Sequence, residues 1–435
     1  MSGEKTLRMA LVGGGMFGGD VVLRSIEDLE RCGLAPYLGR IGLDHRARAV
    51  GALEPRLVAI GTRTEATASR LARAYRERVP GASPVPYHGE RPWEEILTRH
   101  EIDRVFVATP DPLHVEPTRQ ALLHGAHVLV EKPLVLSTRE ADELLRLSRE
   151  KGLVVGVDMH KRYDPCHRFL FEDLVSKIGT PLYGRAVLEE PLDVSTKTFQ
   201  WAAASNPFTY VGVHWADLFL HYLGLEPASV HAVGQKELLC NWDREGGDRP
   251  IDAFDAMQVA VDYASGLRVY YVNNWVNPRE FEGHVNQEME LVGTRGKIEF
   301  DQQYRGLRAT ITGVGSKTYN PHFTMDVRRS GLAGAPPAYD GYGKDSVVAI
   351  VERAAEVHLG LAARDDLRST YPDLESARPT VQVLEAAAEV AVRNHAHLGA
   401  GRGSPVTARI TPEAIDVLDP IAGNERIYAR APGTP

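Results

Sequence analysis

Apolar positions in the first 160 residues come in short continuous runs, separated by stretches of helical period. Leu7–Val12 is the first run, and it enters the glycine-rich turn GGGMFGG. Val21, Val22, Ser25, Ile26 and Leu29 then recur at helical spacing until Gly33 stops them. Runs at 56–64, 102–110, 127–133 and 153–160 predict further strands. Segments 65–75 and 112–125 predict helices between them, with Pro117 limiting the start of the second. Another helix opens with Ser137 and Glu140 in capping-box spacing and closes at Gly152. Continuous apolar strands alternating with helices predict a parallel sheet covered on both faces. Right-handed crossovers make it a doubly wound domain over residues 1–160. Such sheets take ligands at the carboxyl ends of their strands. Three unusual turns fall there: Gly13–Gly18, Thr109–His114 and Glu131–Pro133.

From about Tyr183 the pattern changes to strand-like runs joined by turns: PLYGRAVLEE, SVHAVGQKEL, FDAMQVAVDYASGLRVYYVNNWV and EMELVGTRGKIEFDQQYRGLRATIT. YASGLRV reads as a hairpin turn carrying Gly266. This predicts an α/β domain over 161–405, built on a mostly antiparallel sheet with a helix from about Gly212 to Leu223 on one face. The other face is left apolar and uncovered, which predicts a homodimer or homotetramer through it. Residues 313–343, rich in glycine and proline, read as loop. Tyr342 and Arg305 have the reach to approach a pocket from this region. SVVAIVERAAEVHLGLA and TVQVLEAAAEVAVRNHAHLG read as amphipathic helices, and residues 406–435 as an extension of little periodicity.

Length and composition agree with two soluble domains: 435 residues, 43% apolar and 25% charged. The net charge of −8, with no long basic run, argues against a nucleic-acid partner. Cys32, Cys166 and Cys240 are too scattered for a disulfide frame or zinc spacing, which predicts a reducing compartment. No signal layout or membrane-length apolar run is visible, so the expectation is a cytoplasmic protein without a membrane partner. Sixteen scattered histidines show no metal-ligand spacing.

Gly13, Gly15 and Gly18 form G-x-G-x-x-G around Met16 and Phe17, directly after a strand and before a helix. That context suits a dinucleotide: glycine permits a tight turn and close approach to a pyrophosphate, and amides at the helix start face the phosphates. An acidic residue closing the second strand would hold the 2′-hydroxyl of NAD(H). Here the strand ends at Thr62, Arg63 and Thr64, which suits the 2′-phosphate of NADP(H). NADP(H) is therefore favoured and NAD(H) is the alternative. An insertion between Gly33 and Pro55 contains Asp44, the other candidate for the ribose acid.

The stretch VATPDPLHVEPTRQALLHGAHVLVEKPL resembles the glucose–fructose oxidoreductase, inositol dehydrogenase and MocA family, whose best-known short motif matches Glu131, Lys132 and Pro133. The resemblance continues through GVDMHKRYDP, GVHWADLFLHYLG and VGTRGKIEFD, covering most of residues 7–400. It implies a Rossmann domain followed by an α/β domain with a large open mixed sheet. It implies pyridine-nucleotide oxidoreduction of sugars, sugar derivatives or cyclitols. Thr109, Pro110, His114, Glu131 and Lys132 would bind the cofactor, with Pro112 and His114 bordering the nicotinamide pocket. Lys132 would lie at the reacting hydroxyl, His214 would serve as acid/base, and Asp217 would contact or orient the site. Many members carry an aspartate four residues before that histidine; here the place holds Tyr210.

Oxidising a carbinol needs a base for the hydroxyl proton. A histidine titrates near working pH and suits His214, while Lys132 can stabilise a developing alkoxide. Tyr210 needs a nearby cation to act as a base; the bland alternative is packing. For His214 it is a core histidine satisfied by Asp217. His160, Lys161, Arg162 and Asp164 follow the last strand of the first domain. Lys161 or Arg162 suits a substrate phosphate or carboxylate, with His160 a further substrate contact, and an ion pair is the other reading. Trp201 could stack on a sugar face, with Asn206 beside it in sequence. A redox-neutral glycosidase or lyase using transient sugar oxidation is the alternative activity. A non-catalytic nucleotide sensor is a third reading.

Overall fold

The computed structural model describes residues 6–40, 42–199, 201–242, 250–283, 285–301, 303–327 and 338–431. The chain forms two compact units. The first contains residues 1–134, 140–164 and 322–377; the second contains 135–139, 165–321 and 378–435.

The first unit is built on six parallel strands: β1 Thr6–Val12, β2 Glu54–Thr62, β3 Val85–His88, β4 Arg104–Val107, β5 His127–Val130 and β6 Val155–Val157. Their order is β3-β2-β1-β4-β5-β6, and every neighbouring pair is parallel. The order reverses between β1 and β4, so the crevice at the strands' carboxyl ends opens beside the glycine turn. Two elements here carried no clear sequence signal. β3 is four residues long and contains Pro86, and the helix Pro92–Arg99 follows it. Both are too short for periodicity to register.

The segment 322–377, expected in the second domain, belongs to the first unit. Its helix Tyr342–His358 lies on the parallel sheet. Gly156 of β6 makes room for it: a Cβ there would meet the Ile350 side chain at 2.4 Å. Arg104 of β4, fully buried, donates through both terminal nitrogens to the Ile350 carbonyl, at 3.0 and 2.8 Å. Burial lowers the Arg104 pKa to about 9. The outer edge of β6 is covered, because Val157 N–H donates to the Pro372 carbonyl at 2.8 Å. The 33–55 insertion forms helices Ala35–Arg40 and Asp44–Val50. It braces the same helix: Tyr37 donates to the Asp345 carbonyl, Arg40 pairs with Asp340 and Asp345, and Arg46 pairs with Glu356. Part of the expected 313–343 loop is also ordered. Met325–Val327 pairs with Ala338–Asp340, and Gly315–Tyr319 pairs with Leu307–Ile311 in the second unit. Residues 328–337 of that stretch lie outside the described residues.

The second unit is a nine-stranded mixed sheet. Its first six strands are β7 Pro181–Pro191, β8 Pro227–Gln235, β9 Ala256–Tyr263, β10 Arg268–Asn277, β11 Asn286–Gly293 and β12 Gly296–Asp301. They run β12-β11-β7-β10-β9-β8, with β7 and β10 parallel and the rest antiparallel. Gly266 takes φ +87° in the β9–β10 hairpin, as a tight turn requires. Alternation along β10 buries Val269, Tyr271, Asn273 and Trp275 and leaves Arg268 and Tyr270 exposed. The buried face carries helix Val213–Leu223, whose Trp215 indole donates to the Val187 carbonyl at 3.0 Å.

The tail, expected to be an extension, instead completes this sheet with Thr407–Thr411, Ala414–Leu418 and Glu425–Ala429. Its strands are only five residues each. Ala408, Ile410, Ile415, Val417 and Tyr428 do bury alternately. Asn394 fixes the join by donating to the carbonyls of Ala232 and Val406. No helix of the described residues is long and apolar enough to cross a membrane.

The Gly156–Ile350 contact leaves no space for a methyl group. Gly156→Ala should cost roughly 1–3 kcal/mol in urea unfolding, the usual penalty for overpacking. Ile350→Ala in that background should recover part of the loss; a neutral Gly156→Ala would contradict the packing described.

Candidate functional site

In the first unit, the carboxyl ends of β1, β4, β5 and β6 collect most of the expected residues. Gly13, at φ +103°, follows β1; a Cβ there would lie 2.2 Å from the Ala108 carbonyl oxygen. Its N–H donates to the Gly61 carbonyl at 2.8 Å, which fixes the turn against β2. A Cβ at Gly18 would meet the Gly13 carbonyl at 2.8 Å. At Gly15 it would meet nothing within 4 Å. Two glycines are thus needed for close packing, and the third leaves exposed backbone bare at the mouth of the turn. That division fits a dinucleotide pyrophosphate laid on the loop. Met16 is exposed beside it, and Phe17 turns toward His160, with ring centroids 5.2 Å apart.

At the end of β2, Thr62 donates to the Thr64 carbonyl, and Thr64 caps the following helix by accepting from Thr67 N–H at 3.3 Å. Both hydroxyls therefore have local work, while Arg63 is exposed. Asp44, the other ribose candidate, starts the insertion helix; a Cβ on Gly39 would sit 3.2 Å from its carboxylate.

His114 is buried, and its ring spans two turns. Nδ1 lies 2.7 Å from the Pro133 carbonyl and Nε2 lies 2.8 Å from the Thr109 carbonyl. It acts on the site by clamping the Thr109–Pro110 turn to the Glu131–Pro133 turn. Thr109 itself donates to the Leu113 carbonyl, and the Lys132–Pro133 peptide is cis.

Glu131 and Lys132 are both buried, at 6% and 7% exposure. Beside them at the end of β6 lies Asp158, at 0%. Sequence reasoning did not single it out, although it closes an apolar strand just as Glu131 does. Ser346 of helix Tyr342–His358 donates to Asp158. Burial and the neighbouring Asp158 carboxyl push Glu131 well above the usual carboxylate range. Burial also raises Asp158, to about 6, against the opposing pull of Ser346, Glu131 and Lys132.

His160 sits in an aromatic box, stacked on Phe17 and Tyr342 and tilted against Phe323 at 5.3 Å. Burial, then the charges of Lys161 and Lys132, hold its pKa well below normal, so it is neutral at physiological pH. Tyr342 is thereby placed at the site, whereas Phe323 and Ser346 had no sequence signal at all. They stand more than 150 residues from the strands they join. Arg162 is buried and donates to Ser376 at 3.1 Å.

The second unit holds the other candidates. Tyr210 lies in the turn Phe208–Gly212, which leads into helix Val213–Leu223. Its ring packs edge-on against Phe199, with centroids 4.5 Å apart, and lies near Trp201 and Trp275. Trp201 belongs to the same cluster. Asn206 spends its amide on the turn: Nδ2 donates to Thr209 Oγ1 and Oδ1 accepts Thr209 N–H, both at 2.8 Å. His214 and Asp217 are buried one turn apart on the helix. Among the described residues, no group of three or more His, Cys, Asp or Glu side chains is arranged to hold a metal ion.

Comparison with known proteins bears on this arrangement. The sequence pattern of an oxidoreductase family with an NAD-binding Rossmann fold matches residues 7–159, and the GFO/IDH/MocA C-terminal domain matches residues 175–299. The 1,5-anhydro-D-fructose reductase of Ensifer adhaerens is 32% identical over 261 residues, which is 58% of this chain and 74% of that protein. The 2,7-anhydro-N-acetylneuraminate hydratase of Mediterraneibacter gnavus is 38% identical over 214 residues, 48% of this chain and 54% of its own. The scyllo-inositol dehydrogenase of Lactobacillus casei, solved with bound NAD(H) and scyllo-inositol, shares the fold. Its TM-score is 0.60 at 16% identity, covering 90% of this chain and 98% of that one. With the two family patterns following one another over more than half of its length, the chain belongs to the GFO/IDH/MocA family of oxidoreductases with an NAD-binding Rossmann fold.

Proposed function

We propose that the protein transfers a hydride between a nicotinamide dinucleotide and a carbinol or ketone carbon of a sugar, sugar derivative or cyclitol. The observation that carries this reading is the convergence at one sheet end of a bare glycine turn and a buried lysine held beside acidic groups. Relatives named as a sugar reductase and an inositol dehydrogenase support the substrate class. A bound nicotinamide supplies the acceptor or donor of the hydride. Gly15 presents bare backbone to its pyrophosphate on a turn that Gly13 and Gly18 close, and the His114 clamp fixes the two turns that flank the ring. Lys132 places its ammonium where alkoxide character develops, in surroundings dry enough for that charge to matter. His214 takes the hydroxyl proton during oxidation and returns it during reduction. Tyr210 shapes the second unit's aromatic cluster, leaving proton handling to Lys132 and His214. Exposed Arg63 selects NADP(H) by meeting a 2′-phosphate. The exposed sheet face bearing Tyr183 and Tyr270 forms a homo-oligomer contact.

A redox-neutral lyase or glycosidase is the second reading. It draws on the 38% identity to a relative named a hydratase, since adding water changes no net oxidation state. Incubating the protein with either dinucleotide and a panel of polyols, anhydrosugars and inositols separates the two. Reduced-nicotinamide absorbance should rise in step with product. Product without that rise would favour the redox-neutral reading, and dinucleotide binding with no product from any sugar would overturn both.

Lys132→Met should lower kcat by roughly 10²–10³-fold while dinucleotide affinity stays nearly unchanged in a fluorescence titration. His214→Asn should lower kcat by roughly 10²–10⁴-fold. Turnover close to wild type in either variant would remove that residue from the mechanism. Arg63→Ala should weaken NADP(H) by roughly tenfold or more, the worth of a charge-assisted hydrogen bond, and leave NAD(H) nearly unaffected. Wild-type protein that binds NAD(H) more tightly than NADP(H) would reverse the cofactor assignment.

A further inference from the structure

We propose that Glu131 and Asp158 act as one acid that shares a single proton, and that this pair is the counter-charge positioning Lys132. The second half rests on the hydride-transfer reading of Lys132; the first half does not.

The backbone dictates the juxtaposition. β5 and β6 are parallel neighbours with Val130 opposite Val157. Asp158 N–H donates to the Val130 carbonyl at 2.8 Å, and Glu131 N–H donates to the Val107 carbonyl at 2.9 Å. Glu131 and Asp158 are therefore the next positions on adjacent strands, about 4.8 Å apart in the ladder direction and on the same face. Both are buried, and two buried carboxylates side by side cannot both ionise. Their carboxyl groups approach closely enough for each to alter the other's proton affinity. A carboxylate only accepts, so that contact requires a proton. Among the described residues, no donor outside the pair reaches Glu131 Oε1 or Asp158 Oδ2.

The donors around the pair decide where the proton rests. Ser346 on the helix above donates to Asp158, which favours its anion. With Asp158 served by that hydroxyl, the hydrogen rests on Glu131, whose proton affinity burial raises. At neutral pH the pair carries one negative charge against the single positive charge of Lys132. The other titratable group facing it, His160, is held neutral by burial, and Lys161 beyond it is the next cation. As pH falls through about 6, Asp158 takes up a second proton and the pair no longer offers Lys132 a negative charge. The same shift has a stability consequence. The folded-state pKa lies above the ordinary value, so the favourable contribution is complete below about pH 4 and is lost as pH rises through about 6. The charge on Asp158 therefore costs stability at neutral pH.

The test uses the full chain with Asp158→Asn, Ser346→Ala and the double variant Glu131→Gln/Asp158→Asn. Infrared spectra with ¹³C-labelled Asp and Glu should show one protonated carboxyl at pH 8 in the wild type and none in the double variant. Asp158→Asn should melt at or above the wild-type temperature at pH 8, whereas a merely structural carboxylate would lower it. With whichever polyol turns over in the panel, kcat should fall on the acid side with an apparent pKa near 6. That limb should move in Asp158→Asn and shift to higher pH in Ser346→Ala. The double variant should lose roughly a hundredfold in kcat, more than the effect of Asp158→Asn alone. Absence of the protonated carboxyl from the wild type, or its survival in the double variant, overturns the shared proton. An unmoved limb in Asp158→Asn overturns the positioning of Lys132. A correct carboxyl band together with full turnover in Lys132→Met leaves the pair standing and sinks the function assigned to Lys132 instead.

Discussion

The carbonyl oxygen of Ile350, in the middle of a helix, receives two N–H groups from Arg104 on an early strand. This contact ties residues more than 240 positions apart and sets the first unit's functional end. A guanidinium buried this deeply is costly unless hydrogen-bonded, so the helix has one favourable position over β4. Gly156 enforces the same position sterically, since any side chain there would collide with Ile350. Once the helix is docked, its first turns follow. Ser346 meets Asp158, and Tyr342 meets His160. His127, buried and then repelled by the same guanidinium, is pushed down to about 3 and stays neutral, accepting Val154 N–H. The interior at this point therefore carries one fixed positive charge and no competing one from histidine.

The strand ends show how a few local constraints make a reactive environment. Gly13 exists because a carbonyl passes within 2.2 Å of where its Cβ would be. His114 holds two turns by their carbonyls and so acts without needing to touch a ligand. The lysine of the E-K-P stretch arrives in a dry setting where acids of raised affinity for protons surround it. Low dielectric makes every charge there count for more than it would on the surface. The aromatic box of Phe17, His160, Phe323 and Tyr342 excludes water from the same region, and it keeps the His160 imidazole uncharged.

Much of this was legible in the chain, for identifiable reasons. The alternation of apolar runs with helical stretches gave the parallel sheet, because strands buried on both faces must be continuously apolar. The glycine spacing, E-K-P and the helix bearing His214 were readable because each is a local pattern. Other features were not. The tail strands are five residues long, too short for period-2 alternation to stand out. The insertion 33–55 gave no element signal, although it is two short helices bracing a distant one. Asp158 sat in plain view at the end of an apolar strand. Its importance depends on being opposite Glu131, and register between strands is not written in either strand alone.

The sequence by itself determined most of the parallel sheet's elements, the doubly wound class, and a glycine turn and titratable residues of a chemistry suited to a dinucleotide and to proton transfer. These follow from local sterics, hydrophobic period and side-chain chemistry. The tertiary structure alone decided that a helix from residues 342–358 serves the first unit. It also decided that Ser346 and Tyr342 reach the strand ends, and that Glu131 and Asp158 lie side by side. The reason is physical: burial, proton affinity and counter-charge are properties of neighbours in space. Residues more than 150 positions apart become neighbours only when the chain is packed.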